Sequence, residues 1–116
     1  MADYMIFHNP RCSKSRQSLQ ILKENNKNPQ IFLYLEETLS REMIKDILSI
    51  LKLMPKEILR KGEADYKTYK LSDFEDDDER LIDFMIKYPR IIERPIILKN
   101  KKGVIGRPPE NVLKLF

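Results

Sequence analysis

Short apolar runs and amphipathic segments alternate in the first third of the chain. Tyr4–His8 is apolar and ends at an Asn-Pro turn, which predicts a buried strand. Ser13 to about Glu24 has the composition and leucine spacing of a helix. Ile31–Leu35 predicts a second strand, and because it is apolar on both faces we expect it to be central in its sheet. This order predicts a parallel, right-handed β-α-β crossover.

The middle of the chain has helical periodicity. Ser40 is a suitable N-cap for the next helix. The apolar stripe of that helix consists of Ile44, Ile47, Leu48 and Leu51. A further helix is predicted over about Pro55–Lys61, with Arg60 at its end. Asp76 and Glu79 have the spacing of a capping box ahead of another helix. One face of that helix carries Leu81, Phe84, Met85 and Tyr88.

The last third of the chain returns to strands. Pro95–Lys99 and Gly103–Gly106 are apolar segments, and the Asn-Lys-Lys sequence between them predicts a hairpin. Pro109 suits the first turn of a last short helix. The element order predicts an α/β fold with one mixed four-stranded sheet and helices on its faces. We expect a single domain over residues 1–116, with a helical insertion at about residues 40–90.

Composition narrows the class of protein. The chain has 116 residues, 34% charged and 41% hydrophobic, which is a globular profile. Its net charge of +4 is too small to indicate nucleic acid as a partner, although it favours small anions. The single cysteine forbids an internal disulfide, and no apolar run has the length of a signal peptide core or a membrane span. We therefore expect a cytoplasmic monomer with no membrane partner and no metal site.

The stretch HNPRCSKSR contains the only cysteine and the only histidine of the chain, Cys12 and His8. Cys12 opens the first predicted helix, whose unpaired N–H groups stabilise a thiolate, and Arg11, Lys14 and Arg16 add positive charge. Cysteines in such settings have pKa values of roughly 3.5–7.5, against about 8.5 for a free thiol. The same N–H groups also bind oxyanions. The alternative is that Cys12 is a small buried hydrophobe and His8 a strand-end residue.

Three further arginines are candidates for an anion site. Arg60 lies at a predicted helix end, whereas Arg94 and Arg107 lie at the two ends of the predicted hairpin, whose pairing would bring them close. Arginine presents a planar fork to oxyanions, although for each arginine alone a solvated or salt-bridged side chain is the simpler interpretation. The Arg-Pro junction at Pro95 is a candidate cis peptide bond.

Together these segments resemble the glutaredoxin-dependent arsenate reductase family, a branch of the thioredoxin-like fold. The matching pieces occur in family order and cover nearly the whole chain: IFHNPRCSKSRQSLQIL, LYLEE, ILRKGE, RPIIL and GRPPENVL. The chain resembles the short members of the family. The resemblance therefore implies a thioredoxin-like α/β domain with the activity of an arsenate reductase.

The resemblance also implies residue roles. Cys12 matches the nucleophile that attacks arsenate and forms a thiol–arsenate adduct. The oxyanion-binding arginines of the family match Arg60, Arg94 and Arg107. His8 matches the histidine that supports the thiolate, and Ser15 a hydroxyl near the sulfur. Pro95 matches the cis-proline beside the active thiol, and Asn9 belongs with the supporting residues.

In the family, glutathione attacks the adduct, glutaredoxin resolves the mixed disulfide and arsenite leaves, so the resemblance implies external reductants and no bound cofactor. Position 15 is serine and no second cysteine exists, so a Cys-x-x-Cys cycle is impossible and the resolving thiol must come from another molecule. This absence also argues against the related redox-sensing regulators that switch through a Cys-x-x-Cys pair.

Two alternatives stay open. The first is a thiol–disulfide oxidoreductase that acts on glutathione mixed disulfides through the same Cys12. The second is a non-catalytic regulatory protein of the same fold, with a functional basic face around Lys99, Lys101 and Lys102. Arsenate reduction is favoured because thiol exchange does not need three converging arginines, whereas binding a multiply charged oxyanion does.

Overall fold

A mixed four-stranded sheet in the order β2-β1-β3-β4 organises the two ends of the chain. The computed structural model describes residues 3–116. The strands are β1 (Tyr4–Phe7), β2 (Gln30–Phe32), β3 (Ile96–Lys99) and β4 (Lys102–Ile105). β1 pairs parallel with β2 and antiparallel with β3, and β3 pairs antiparallel with β4. The predicted mixed sheet and the parallel pairing of the first two strands are both confirmed.

The prediction for β2 was wrong in length and in position. The strand covers only three residues and forms an edge of the sheet, rather than a central strand over Ile31–Leu35. The chain turns immediately after it, because the N–H groups of Glu36 and Glu37 donate to the carbonyl of Leu33. Ile31 is 42% exposed. The apolar run therefore continues beyond the strand into a turn. Its length does not mean that the strand is buried on both faces.

The first helix, α1 (Ser13–Glu24), has the predicted bounds and covers the sheet together with the C-terminal segment. That segment, Pro109–Leu115, is a 3₁₀ helix at the predicted place. Side chains from α1, β1, β3 and this segment form one apolar cluster, made of Tyr4, Ile6, Leu22, Ile97, Val112 and Leu115. Each Å² of apolar area removed from water stabilises the fold by about 25 cal/mol, so this cluster anchors α1 to the sheet.

Residues 38–93 form a second compact unit, distinct from the unit that contains the sheet, α1 and the C-terminal segment. Its helices are α2 (Arg41–Leu51), α3 (Ala64–Thr68) and α4 (Asp78–Lys87), with 3₁₀ turns at Pro55–Ile58, Leu71–Phe74 and Pro89–Ile91. Ser40 caps α2 as predicted, since its hydroxyl accepts the N–H of Met43 at 3.1 Å. Arg41 joins α2 to α4 by ion pairs with Glu79 and Asp83.

Two predictions in this unit need correction. The N-cap of α4 is Asp77, not Asp76, because the Asp77 carboxylate accepts the N–H of Arg80 at 3.1 Å. The predicted helix over Pro55–Lys61 is only a 3₁₀ turn. Its continuation is prevented because Leu59 adopts extended backbone angles and forms an antiparallel bridge with Ile92. Arg60 therefore follows a bridge rather than ending a helix.

The β3–β4 hairpin turns on two residues, since Lys99 and Lys102 are paired and Asn100 has a φ of 54°. Asparagine tolerates this left-handed conformation better than most residues. Within residues 3–116, no helix is both long and apolar enough to cross a membrane.

Candidate active site

The loop between β1 and α1 is folded by Asn9. Asn9 is buried, with a relative exposure of 8%, and its side-chain Oδ1 accepts the N–H of Arg11 at 3.0 Å. Its backbone carbonyl accepts the N–H of Cys12 at 3.0 Å. These two bonds bring the chain into helical register, so that Cys12 becomes the N-cap of α1 and its carbonyl accepts the N–H of Arg16 at 3.0 Å.

Opposing influences act on the Cys12 thiol, which is partly buried. Burial raises its pKa, but hydrogen bonds from the backbone N–H of Ser15, the Arg94 side chain and the backbone N–H of Lys14 lower it, as does the charge of Arg94. The net result is a pKa below the usual value for cysteine. A thiolate at a helix N-terminus beside a guanidinium is a stronger nucleophile at neutral pH than a free thiol.

His8 is buried and contacts the hydroxyl of Ser15, with 2.5 Å between Nδ1 and Oγ. The same Oγ accepts the N–H of Asn9 at 3.0 Å. Burial, followed by the charges of Lys23 and Arg16, lowers the pKa of His8 from its usual value of 6.5 and so favours the neutral ring at pH 7. The fully buried Ser15 hydroxyl must place its proton on an acceptor, and Nδ1 is the acceptor within reach. We therefore assign the neutral ring with its proton on Nε2.

Ser15 takes part in the site through both its hydroxyl and its backbone. Its hydroxyl bonds His8 and Asn9, and its backbone N–H is the group that bonds Cys12. The backbone N–H of Lys14 also bonds the sulfur, although from the sequence only the charge of that residue attracted notice. Both residues lie in the first turn of α1, where backbone N–H groups have no partner within the helix. That position in the sequence could have identified them as donors.

The hairpin brings Arg94 and Arg107 together, as their positions at its two ends predicted. Arg107 Nη1 donates to the backbone carbonyl of Arg94 at 3.4 Å, and the N–H of Gly106 donates to the carbonyl of Pro95 at 2.8 Å. The Arg94–Pro95 peptide bond is cis, which confirms that prediction, and the peptide bond before Pro108 is cis as well. The Arg94 side chain is a hydrogen-bond partner of the Cys12 sulfur, and Arg107 lies exposed beside Arg94.

Arg60 belongs to the second compact unit. Its N–H donates to the carbonyl of Ile91 at 2.6 Å, and its Nη1 lies 3.6 Å from a carboxylate oxygen of Glu63. Nη1 is buried and makes no hydrogen bond within residues 3–116. The convergence of Arg60 with the other two arginines stays a prediction.

The arrangement around Cys12 can perform nucleophilic attack on an anion. It combines a thiol of lowered pKa with two backbone N–H donors and a guanidinium, and these donors attract negative charge. Throughout the described part of the chain, no group of three His, Cys, Asp or Glu side chains is arranged to hold a metal ion.

Comparison with known proteins places this site in context. The sequence profile of the ArsC family matches residues 7–115. The uncharacterized protein YfgD of Escherichia coli K12 is 45% identical over 95% of this chain and 93% of its own length. An arsenate reductase of Escherichia coli is 33% identical over 100% of this chain and 82% of its own length. The structure of an arsenate reductase from Vibrio cholerae is 38% identical, covers 97% of both chains and superposes with a TM-score of 0.93.

Proposed function

The chain belongs to the ArsC family, and on that premise we propose that it reduces arsenate to arsenite through a covalent adduct on Cys12. Several curated relatives, 31–36% identical to this chain, are named arsenate reductases, whereas YfgD at 45% identity carries no assigned activity in its name. Its sheet and helices have the thioredoxin-like architecture that the sequence resemblance predicted.

One observation supports the proposal most strongly. The Cys12 sulfur receives hydrogen bonds from the first turn of α1 and from the Arg94 side chain. The same donors that stabilise a thiolate can hold the oxygens of a tetrahedral oxyanion beside it. Arg107 lies next to Arg94 and adds a second guanidinium, and we propose that Arg60 supplies a third.

In the proposed first step, the Cys12 thiolate forms a sulfur–arsenic bond. One arsenate oxygen leaves as hydroxide and takes up a proton to become water, so arsenic is still in the +5 state. The arginines neutralise the charge on the remaining oxygens. His8 holds Ser15 through its hydroxyl, and this contact fixes the backbone N–H that faces the sulfur.

Reduction requires two electrons, which two thiols supply when they become one disulfide. Because the chain has a single cysteine, at least one of these thiols comes from another molecule, and in the proposed route both do. We propose that glutathione adds to the arsenic with loss of a second oxygen as water. The glutaredoxin thiolate then attacks the glutathione sulfur, and the electron pair of the broken arsenic–sulfur bond stays on arsenic. Hydrolysis releases arsenite and restores the Cys12 thiolate.

A coupled assay tests this function. Arsenate-dependent NADPH consumption is measured with glutathione, glutaredoxin and glutathione reductase, and wild type is compared with Cys12→Ser. We expect turnover in wild type, loss of turnover in the variant, and loss of turnover in wild type when glutathione or glutaredoxin is omitted. Turnover that survives in Cys12→Ser would contradict the assignment of the nucleophile.

NADPH consumption also distinguishes the thiol-exchange alternative from arsenate reduction. A small mixed disulfide of glutathione replaces arsenate as the oxidant, and glutaredoxin is omitted because it would itself reduce that disulfide. If wild type consumes NADPH with the mixed disulfide and not with arsenate, and Cys12→Ser does not, the protein is a thiol–disulfide oxidoreductase and the proposed function is wrong.

A further inference from the structure

Gly106 occupies a crowded position directly after β4. A Cβ atom built on it would lie 2.4 Å from Ser18 Oγ, 2.7 Å from Pro95 Cγ and 3.2 Å from Ile97 Cδ1. Close packing in protein interiors does not accommodate carbon atoms at the first two of these distances. A side chain at this position would therefore displace its neighbours.

The backbone conformation does not explain the glycine. No glycine in the described part of the chain has a positive φ, so Gly106 is not there to adopt a left-handed conformation. Gly62 offers a comparison within the same chain, since a Cβ atom built on it meets no atom within 4 Å. The requirement at position 106 is one of space.

The neighbours of Gly106 carry the candidate site. Ser18 is a fully buried residue of α1, the helix that Cys12 caps. Pro95 follows Arg94 in the chain, and Gly106 precedes Arg107. The three segments that carry Cys12, Arg94 and Arg107 therefore meet at Gly106, in the space that a side chain would occupy.

The contact with Pro95 is the one that cannot relax locally. The Ser18 hydroxyl can rotate, but the proline ring is fixed to its backbone. The N–H of Gly106 also donates to the Pro95 carbonyl at 2.8 Å, so the two segments are held together beside the point of contact. A methyl group at position 106 must push the Arg94–Pro95 segment away and stretch this bond.

We infer that Gly106 is a positioning residue of the Cys12 site, whose missing side chain lets the Arg94–Pro95 and Gly106–Arg107 segments approach α1 closely enough for Arg94 to contact the sulfur. The inference rests on the proposed function in that Cys12 is taken as the reacting group. It concerns the placement of the arginines and not any contact of Gly106 with substrate.

The test is the thiol titration of Gly106→Ala, followed through the pH dependence of Cys12 alkylation by iodoacetamide. We expect a midpoint above that of wild type and, at a pH below both midpoints, alkylation slower by up to about tenfold for each pH unit of that shift. We also expect a lower kcat/KM for arsenate. Gly62→Ala is the matched control and should keep the wild-type midpoint. Circular dichroism establishes that each variant is folded.

A folded Gly106→Ala with the wild-type midpoint would overturn the proposal, because loss of stability alone does not move that midpoint. If Gly106→Ala does not fold, the double variant Gly106→Ala/Ser18→Ala is measured instead. It removes the contact at 2.4 Å but keeps the one with Pro95 at 2.7 Å, so its midpoint should still lie above wild type. A wild-type midpoint there overturns the proposal too. The titration needs no arsenate, so a lack of arsenate turnover in wild type contradicts only the proposed function.

Discussion

At the scale of single residues, the charge of Cys12 depends on a balance that can be altered one group at a time. Burial favours the neutral thiol, whereas the N–H groups of Ser15 and Lys14 and the guanidinium of Arg94 favour the thiolate. The two N–H groups belong to the backbone of α1 and cannot be removed by side-chain substitution. Arg94 is therefore the contribution that mutagenesis can test.

Arg94→Ala should lower kcat/KM for arsenate by about 10²–10³-fold, the usual cost of removing one preorganised donor to a developing anion. It should also raise the Cys12 pKa, because the variant lacks both the hydrogen bond and the charge of the guanidinium. Arg94→Lys keeps the charge and loses the planar fork, so we expect an intermediate kcat/KM. Steady-state kinetics with folded variants measure this, and an unchanged efficiency in Arg94→Ala would refute the role of that residue.

His8 should make the stability of the protein dependent on pH. Its pKa is lowered in the folded state, first by burial and then by Lys23 and Arg16, so unfolded chains bind more protons below pH 6.5. The free energy of unfolding should have its full value above pH 6.5. It should decrease as the pH falls through the lowered pKa of His8 in the folded state. His8→Gln should weaken that decrease.

The single imidazole makes this prediction easy to check by NMR. The titration of the His8 ring should give a midpoint below 6.5, and the urea denaturation midpoint of wild type should fall relative to His8→Gln between pH 7 and pH 5. A ring that titrates at or above 6.5 would show that burial does not control it.

The chemistry of these residues could be predicted only in part. The spacing of His8 and Cys12 predicted that both belong to one site, because a short loop joins the strand end at His8 to the helix start at Cys12. The contact of His8 with the Ser15 hydroxyl could not be predicted, because it depends on how Asn9 folds the loop. The contact of Arg94 with the sulfur requires the pairing of β3 with β1, which is distant in sequence.

At the scale of elements, helix starts are what the local sequence specifies best. α2 begins at its predicted cap, because a polar cap followed by apolar periodicity is a local signal, and α1 begins at the predicted Ser13. In α4 three consecutive aspartates compete for the cap, and the choice between Asp76 and Asp77 depends on which carboxylate reaches an N–H. The position of β2 at the edge of the sheet follows from the order of strands, which local patterns do not contain.

The cap of α2 gives a quantitative test at this scale. Ser40→Ala removes the acceptor for the N–H of Met43 and should reduce the free energy of unfolding by about 1 kcal/mol. Ser49→Ala is the matched control, because Ser49 is exposed within the same helix and should change stability by no more than about 0.5 kcal/mol. Urea denaturation of both variants measures the difference, and equal stability of the two would mean that the Ser40 bond contributes nothing.

At the scale of the whole molecule, the cysteine count determines the chemistry of turnover. A chain with one thiol cannot complete a two-electron reduction of a substrate through its own disulfide. The family and the mixed sheet were predictable because the matching motifs extend over nearly the whole chain. The convergence of Arg60 with Arg94 and Arg107 stays a prediction that rests on the resemblance alone, since the three positions are separated by 34 and 13 residues in the sequence.

The most direct measurement of the central claim is the oxidation state of arsenic after incubation with the protein. Arsenate, glutathione and glutaredoxin are incubated with wild type or Cys12→Ser, and arsenate and arsenite are separated and quantified. The account predicts arsenite in many-fold molar excess over wild-type protein, and no more arsenite with Cys12→Ser than without protein. Equal arsenite in all three samples, with the thiol reduced and the protein folded, would contradict it.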